Sequence, residues 1–272
     1  KKNMKKLLLT TMLVTALAGC SSAKTSAVSA SGDHLARIQS AGKITIATEG
    51  VYSPFTYHDE TTNELVGFDV EVAKAIADKL GVEAEFKEVN FDGGLTGVAQ
   101  GTFDMMANGV DITEERSNSY DFTEPYAYDH AVIVTKAEYS DIKSFADLKG
   151  KTTANSTGST YAEMGENNGA TVTNVDTLGE TMDLVLNGTV EATINANISI
   201  QDYFNTTGNS DKLKVAATDE ETTKYAFPLK KGSDNDSLRE AINKAIDELR
   251  SEGKLSEFSA KYFGADITTE QS

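Results

Sequence analysis

The sequence predicts an α/β protein built from two similar lobes, and three observations carry that prediction. Short apolar or alternating strands take turns with helices of 3.6-residue period through the first half of the chain. The same alternation returns after residue 150. The two runs also share a local signature, Gly101-Thr-Phe-Asp-Met-Met-Ala-Asn108 in one and Gly188-Thr-Val-Glu-Ala-Thr-Ile-Asn195 in the other, 87 residues apart and each after an apolar helix. Strand–helix–strand order of this kind gives parallel sheets with right-handed crossovers.

The first element is a leader. "KKNMKK" is a basic start and "LLLTTMLVTAL" an apolar run of eleven residues, too short to span a bilayer as a stable helix. It ends in Leu17-Ala18-Gly19-Cys20, which resembles a bacterial lipobox. Residues 1–19 are therefore expected to be a lipoprotein signal peptide, with Cys20 acylated (palmitate) as the first mature residue. Two acyl chains hold a protein on a membrane durably where one does not. Cys20 is the single cysteine, so no disulfide forms within the chain. Residues 20–34 are Ser/Ala-rich and read as a flexible tether. The expected location is the outer face of the bacterial cell membrane.

The globular part begins near Leu35. "KITIATEG" (43–50) alternates as a strand. Phe68, Val72, Ile76 and Leu80 share one helical face, and Gly81 stops that helix. "EAEFKEV" is the next strand, and Leu95, Val98 and Ala99 mark a short helix ended by Gly101. "FDMMANGV" (103–110) is near-continuously apolar, as a strand inside a parallel sheet is. In the second run "TTANS" (152–156), "TVTNV" (171–175) and "VEATINA" (190–196) are strands. Helices start near Thr160 and cover "GETMDLVLN" (179–187). Leu238, Ile242, Ile246 and Leu249 give a long C-terminal helix, and "LSEFSAKYFG" a short one. Pro54, Pro125 and Pro228 are the only prolines, each near an expected site loop or lobe crossing.

Composition excludes several functions. The formal charge is −17, and removing the four lysines of residues 1–19 takes it to −21. Such a surface repels nucleic-acid phosphates. His34, His58 and His130 are scattered without metal-ligand spacing. No G-x-S-x-G elbow and no phosphate loop occurs, and "DGGLTG" lacks the lysine and the preceding strand. No catalytic residue, metal or cofactor is indicated.

Open α/β sheets bind ligands at the carboxyl ends of their strands. The residues there are Glu49, Tyr52 and Phe55 after the first strand, and Phe91 after the second. Asn108, Gly109, Asp111 and Arg116 follow the third. The second run adds Thr157-Gly158-Ser159-Thr160 and Asn195. These suit a free amino acid. Arginine takes a carboxylate in a forked pair, a helix start offers N–H groups to the same anion, and aromatic faces cover a side chain. Plainer roles stay open. Arg116 also reads as a surface partner of Glu114 or Glu115, Phe55 and Phe91 as core, and "TGST" as an N-cap.

The stretches "YSPFTYHDE", "GFDVEVAKAIADKLG", "FDGGLTGVAQGTFDMMANGVDITEERSNSYDFTEPY", "DIKSFADLKGKTTANS" and "ELRSEGKLSEFSAKYFG" resemble family 3 extracellular solute-binding proteins, the amino-acid receptors of ABC importers. The resemblance runs from about Lys43 to Asp266. It implies a type II periplasmic-binding-protein fold, monomeric, with the ligand in a cleft between lobes joined by two crossing strands. Lobe 1 is expected over residues 35–131 plus 225–272 and lobe 2 over 132–224. Arg116 would bind the α-carboxylate, helped by the Thr157–Thr160 turn. Glu49, Tyr52 and Phe91 would line the side-chain pocket. The family's aspartate for the ammonium is replaced by Ala196, so Asp111 is expected to supply that charge. Among members the text most resembles cystine-binding receptors, which makes cystine the first expected ligand. Glutamine, lysine, arginine and histidine are alternatives, and a cyclohexadienyl dehydratase-like enzyme is the alternative of another class.

Overall fold

In the computed structural model, which describes residues 33–270, the chain opens on a capped helix. Asp33 accepts the Leu35 amide and starts α1 (His34–Ala41), which Gly42 ends in the left-handed conformation. The leader, Cys20 and the tether up to residue 32 lie outside the described residues. Asp33 and His34, read above as the end of the tether, belong to the fold instead. His34 is buried, with Nε2 2.6 Å from Asp104 Oδ1 and Nδ1 bonded to the Asn235 side chain.

β1 (Lys43–Thr48) leads into a small antiparallel meander of β2 (Val51–Tyr52), β3 (Thr56–His58) and β4 (Leu65–Val66). α2 (Phe68–Leu80), β5 (Glu83–Glu88), α3 (Phe91–Gln100) and β6 (Met105–Met106) complete the first run. α4 (Glu114–Ser119) and β7 (Tyr120–Phe122) precede the long strand β8 (Ala127–Lys136). The second run is β9 (Thr152–Ser156), α5 (Thr160–Asn167), β10 (Thr171–Val175), α6 (Leu178–Leu186) and β11 (Thr193–Ala196). α7 (Asn197–Thr207), β12 (Leu213–Tyr225), β13 (Pro228–Lys230), α8 (Asp236–Ser251) and α9 (Lys254–Phe263) finish the chain.

The two runs have one topology. In the first, β1 lies between β5 and β6, parallel to both. In the second, β9 pairs in parallel with β10 over five residues and meets Ala192, just before β11, through Thr153. Each centre strand is thus the first of its run, with the second and third on either side. Between the runs, β8 is the middle strand of a sheet with antiparallel β11 and β12. The β8–β12 ladder reaches from Lys136 opposite Leu213 to Ala127 opposite Tyr225, broken by register shifts near Thr218.

"FDMMANGV" forms a shorter strand than its apolar run predicts. Only Met105 and Met106 pair with β1. The Phe103 ring turns aside onto Gly97, where a Cβ would lie 2.4 Å from it. Beyond Met106 the backbone bends toward the cleft. Gly109 holds a φ of 58°, and a Cβ there would meet the Phe55 ring at 3.2 Å. Behind this bend stands Asp69, fully buried near the start of α2, whose Oδ2 accepts from Gly109 N and from the Tyr126 hydroxyl, each at 2.7 Å. Burial raises its carboxyl to about 7.

Candidate functional site

Every strand of the two parallel runs delivers a residue to one cleft. Glu49 follows β1, Phe91 follows β5 and Asn108 follows β6; Asn155 and Ser156 close β9, Leu178 follows β10 and Asn195 lies near the end of β11. The cavity they leave is about 30 Å³, room for little more than a water molecule. Side chains from the two runs meet across it. Tyr52 donates its hydroxyl to Asn195 Oδ1 at 2.7 Å, and Thr160 donates to Asp111 Oδ1 at 2.9 Å.

Arg116 is the strongest feature. Thr113 caps α4 by accepting the Arg116 amide, which sets the side chain on the inner side of the turn, while Glu114 and Glu115 remain exposed. The guanidinium is buried, at 8% residue exposure. Nη1 lies 2.5 Å from Asp111 Oδ1 and also donates to the Asp111 carbonyl at 3.0 Å. Nη2 donates to the Gly158 carbonyl at 3.2 Å, and the cation sits 5.4 Å from the centre of the Phe91 ring. Its partner is therefore Asp111 and not either neighbouring glutamate. A buried arginine with fork geometry is a preformed receptor for a planar anion.

Glu49 forms the other charged end. Its Oε2 accepts from Asn108 Nδ2 at 2.7 Å, and its backbone amide donates to Asn108 Oδ1 at 2.8 Å. Burial raises its carboxyl to about 7 against the lowering effect of the Asn108 amide, and the Asp176 charge adds to the rise.

Of the residues singled out in the sequence, Glu49, Tyr52, Phe91, Asn108, Gly109, Asp111, Arg116, Ser159, Thr160 and Asn195 line this cleft together. Three stand elsewhere. Phe55 is fully buried beneath it, stacked on Tyr52 at 5.3 Å and edge-on to Tyr225. Thr157 lines a neighbouring depression with Asp92 and Asp176. Gly158 offers its carbonyl to Arg116, an acceptor where donors were expected. Ser159 is an N-cap, accepting the Ala162 amide at 3.1 Å. The sequence reading missed Asn155, Ser156, Tyr161 and Leu178. The strand-end rule reaches the first two when the last residues of the strand are included, and Tyr161 follows the capped helix start.

The fold and cleft have known relatives. The model of bacterial extracellular solute-binding proteins, family 3, matches residues 44–265. The L-cystine-binding protein TcyA of Bacillus subtilis is 39% identical over 237 residues, 87% of each chain. AbpA of Streptococcus pneumoniae, an amino acid ABC transporter substrate-binding protein bound to L-arginine, superposes with a TM-score of 0.76 at 30% identity, covering 86% of this chain and 100% of that one. The L-cystine solute receptor of Neisseria gonorrhoeae, unliganded and open, gives 0.56 at 37% identity, covering 88% and 100%. This chain belongs to family 3 of the bacterial extracellular solute-binding proteins and has their two-lobed type II periplasmic-binding fold.

Proposed function

We propose that this protein captures a free amino acid, cystine first, and delivers it to the permease of an ABC importer. The observation that carries this reading is Arg116, buried in the cleft between the two parallel runs and held in place from both of them. Arg116 takes the α-carboxylate. The N–H groups of Thr160 and Tyr161, which no helical carbonyl can satisfy, face the same anion at the start of α5. Phe91 covers the side chain. Glu49 meets a cation at the far end, either the second ammonium of cystine or a basic side chain. The names of the TcyA and Neisseria relatives favour cystine over arginine or glutamine.

The lobes comprise residues 35–131 plus 225–272 and 132–224 in this reading, with β8 and β12 as the crossing strands. The protein works as a monomer that closes by a hinge. The small cavity and the closer superposition on an arginine-bound relative than on an open one, against the order of sequence identity, support a closed form. Cys20, outside the described residues, supplies a lipid anchor on the outer membrane face. Among the described residues no helix is long and apolar enough to cross a membrane.

Thermal shift against the twenty amino acids plus cystine tests this. A ligand present at a hundredfold over its dissociation constant adds about 2.7 kcal/mol of stability. Cystine gives the largest shift if the assignment is right, and no shift with any amino acid discards it. A second reading rests on Glu49, whose carboxyl near 7 suits a general acid. Turnover of prephenate or arogenate would establish a dehydratase, and its absence leaves binding alone.

A further inference from the structure

At the floor of the cleft lies a group of side chains whose hydroxyls have no task in this reading. Tyr52, Tyr161, Tyr225 and Ser199 come from β2, α5, β12 and α7, and their hydroxyls converge. None of the four residues is more than 8% exposed. Tyr52 gives its proton to Asn195, while the hydroxyls of Tyr161, Tyr225 and Ser199 approach one another and Tyr52 without completing a well-formed hydrogen bond among the described residues. A buried polar group without a partner opposes folding, and three in one place need an explanation beyond packing.

Asp129 borders this group. The ladder sets Ala131 opposite Ala196, Asp129 opposite Thr223 and Ala127 opposite Tyr225. Opposed residues share a face, and the face repeats every second residue. Asp129, Ala196 and Tyr225 therefore project from one side of the sheet. Asp129 Oδ2 accepts the Ile198 amide in the first turn of α7 at 2.9 Å. Burial chiefly raises the phenols of all three tyrosines, and the Asp129 charge adds to each rise. His130 points Nδ1 to the carbonyls of Asp219 and Glu221. Asp111 is differently placed, since its carboxylate is already taken up by Arg116 and Thr160.

We propose that Asp129, with the hydroxyls of Tyr52, Tyr161 and Tyr225, forms the subsite for the α-ammonium group of the bound amino acid, and that Asp111 orients Arg116. An ammonium brings three donors and a charge. The phenol oxygens supply the acceptors, and Asp129 supplies the opposite charge that a buried cation needs. The small side chain of Ala196, on the same face, leaves the approach to Asp129 clear. This inference rests on the amino-acid reading of the cleft.

The test is titration calorimetry of the whole mature chain with two ligand pairs, L-cystine with dithiodipropionate and L-arginine with guanidinovalerate. Guanidinovalerate lacks only the α-amino group of arginine, whereas dithiodipropionate lacks both amino groups of cystine, so the arginine pair isolates the subsite from Glu49. Asp129→Asn is expected to weaken the amino acid by about thirtyfold or more while changing the deaminated acid less than about threefold. Asp111→Ala is expected to weaken both members by at least about tenfold, because Arg116 loses its orientation. Ala196→Asp in the Asp129→Asn background restores an acid on the same face and recovers part of the affinity. If Asp129→Asn proves too unstable to titrate, Tyr225→Phe removes one hydroxyl alone and still separates the pair. Asp129→Asn affinity within about threefold of wild type, or an equal loss for both members, overturns the assignment. Wild-type protein that binds neither amino acid overturns the reading beneath it instead.

Discussion

Two parallel runs of one topology face each other across the cleft, and they bring different chemistry to it. The run built on β1 supplies Glu49, Asp111 and Arg116, every ionisable group on the cleft wall apart from the tyrosine phenols. The run built on β9 supplies Asn155, Ser156, Ser159, Thr160, Tyr161 and Asn195, which are amides and hydroxyls, together with Leu178. Even the matched asparagines differ. Asn108 binds a carboxylate on its own run, whereas Asn195 accepts a phenol from the other. A repeated frame thus carries an unrepeated site. The charged wall can hold the carboxylate and a distal cation, and the neutral wall can close on them without bringing a second set of charges to desolvate.

The largest way to break this asymmetry is Arg116→Gln. The substitution removes the fork and leaves Asp111 buried without its cation. Loss of one member of such a pair costs about 2–5 kcal/mol, tens- to thousands-fold in affinity. We expect calorimetry to show at least about a hundredfold weaker binding of the preferred amino acid. A loss below about tenfold would mean that the carboxylate binds elsewhere.

The second prediction uses pH. The Glu49 carboxyl lies at about 7, chiefly through burial. A ligand with a distal cation pairs with the ionised form, so binding releases protons and affinity rises as pH rises through that value. The gain is about tenfold at most between about pH 6 and 8, and it levels off above. A ligand with a neutral side chain, such as glutamine, shows no such rise. Calorimetry in buffers of different protonation enthalpy measures the released protons, and Glu49→Gln should abolish them. A flat profile for cystine would separate Glu49 from the second ammonium.

The two walls were not equally legible in the sequence. β9 and β10 match their predicted spans because each is a short run opening on β-branched residues and closed by turn residues. The strand-end rule then found Glu49, Asn108, Arg116 and Asn195 without any contact information. Phe55 went astray because the meander around it consists of strands two or three residues long, too short for a period to show. The β8–β12 ladder has no local signal either, since it joins residues 77 to 98 positions apart. Nor does sequence spacing reveal that Asp111, Thr160 and Arg116 touch. Asp129 stayed hidden for the same reason, because its neighbours come from four separate elements.

The smallest predicted effect tests whether the neutral wall acts only on closing. Thr160 makes one bond to the charged wall, from its hydroxyl to Asp111 Oδ1. Thr160→Val keeps the shape of the side chain and deletes that donor. Asp111 retains Arg116, so the loss falls to that of an ordinary hydrogen bond, about 1 kcal/mol or about fivefold in affinity. If the bond forms only as the walls meet, the loss appears as faster ligand dissociation with an unchanged association rate. Thr160→Ser, which restores the hydroxyl, should recover slow dissociation in the same stopped-flow measurement. A fall in the association rate instead would place Thr160 in the first encounter with the ligand, and the division between a capturing wall and a closing wall would no longer hold.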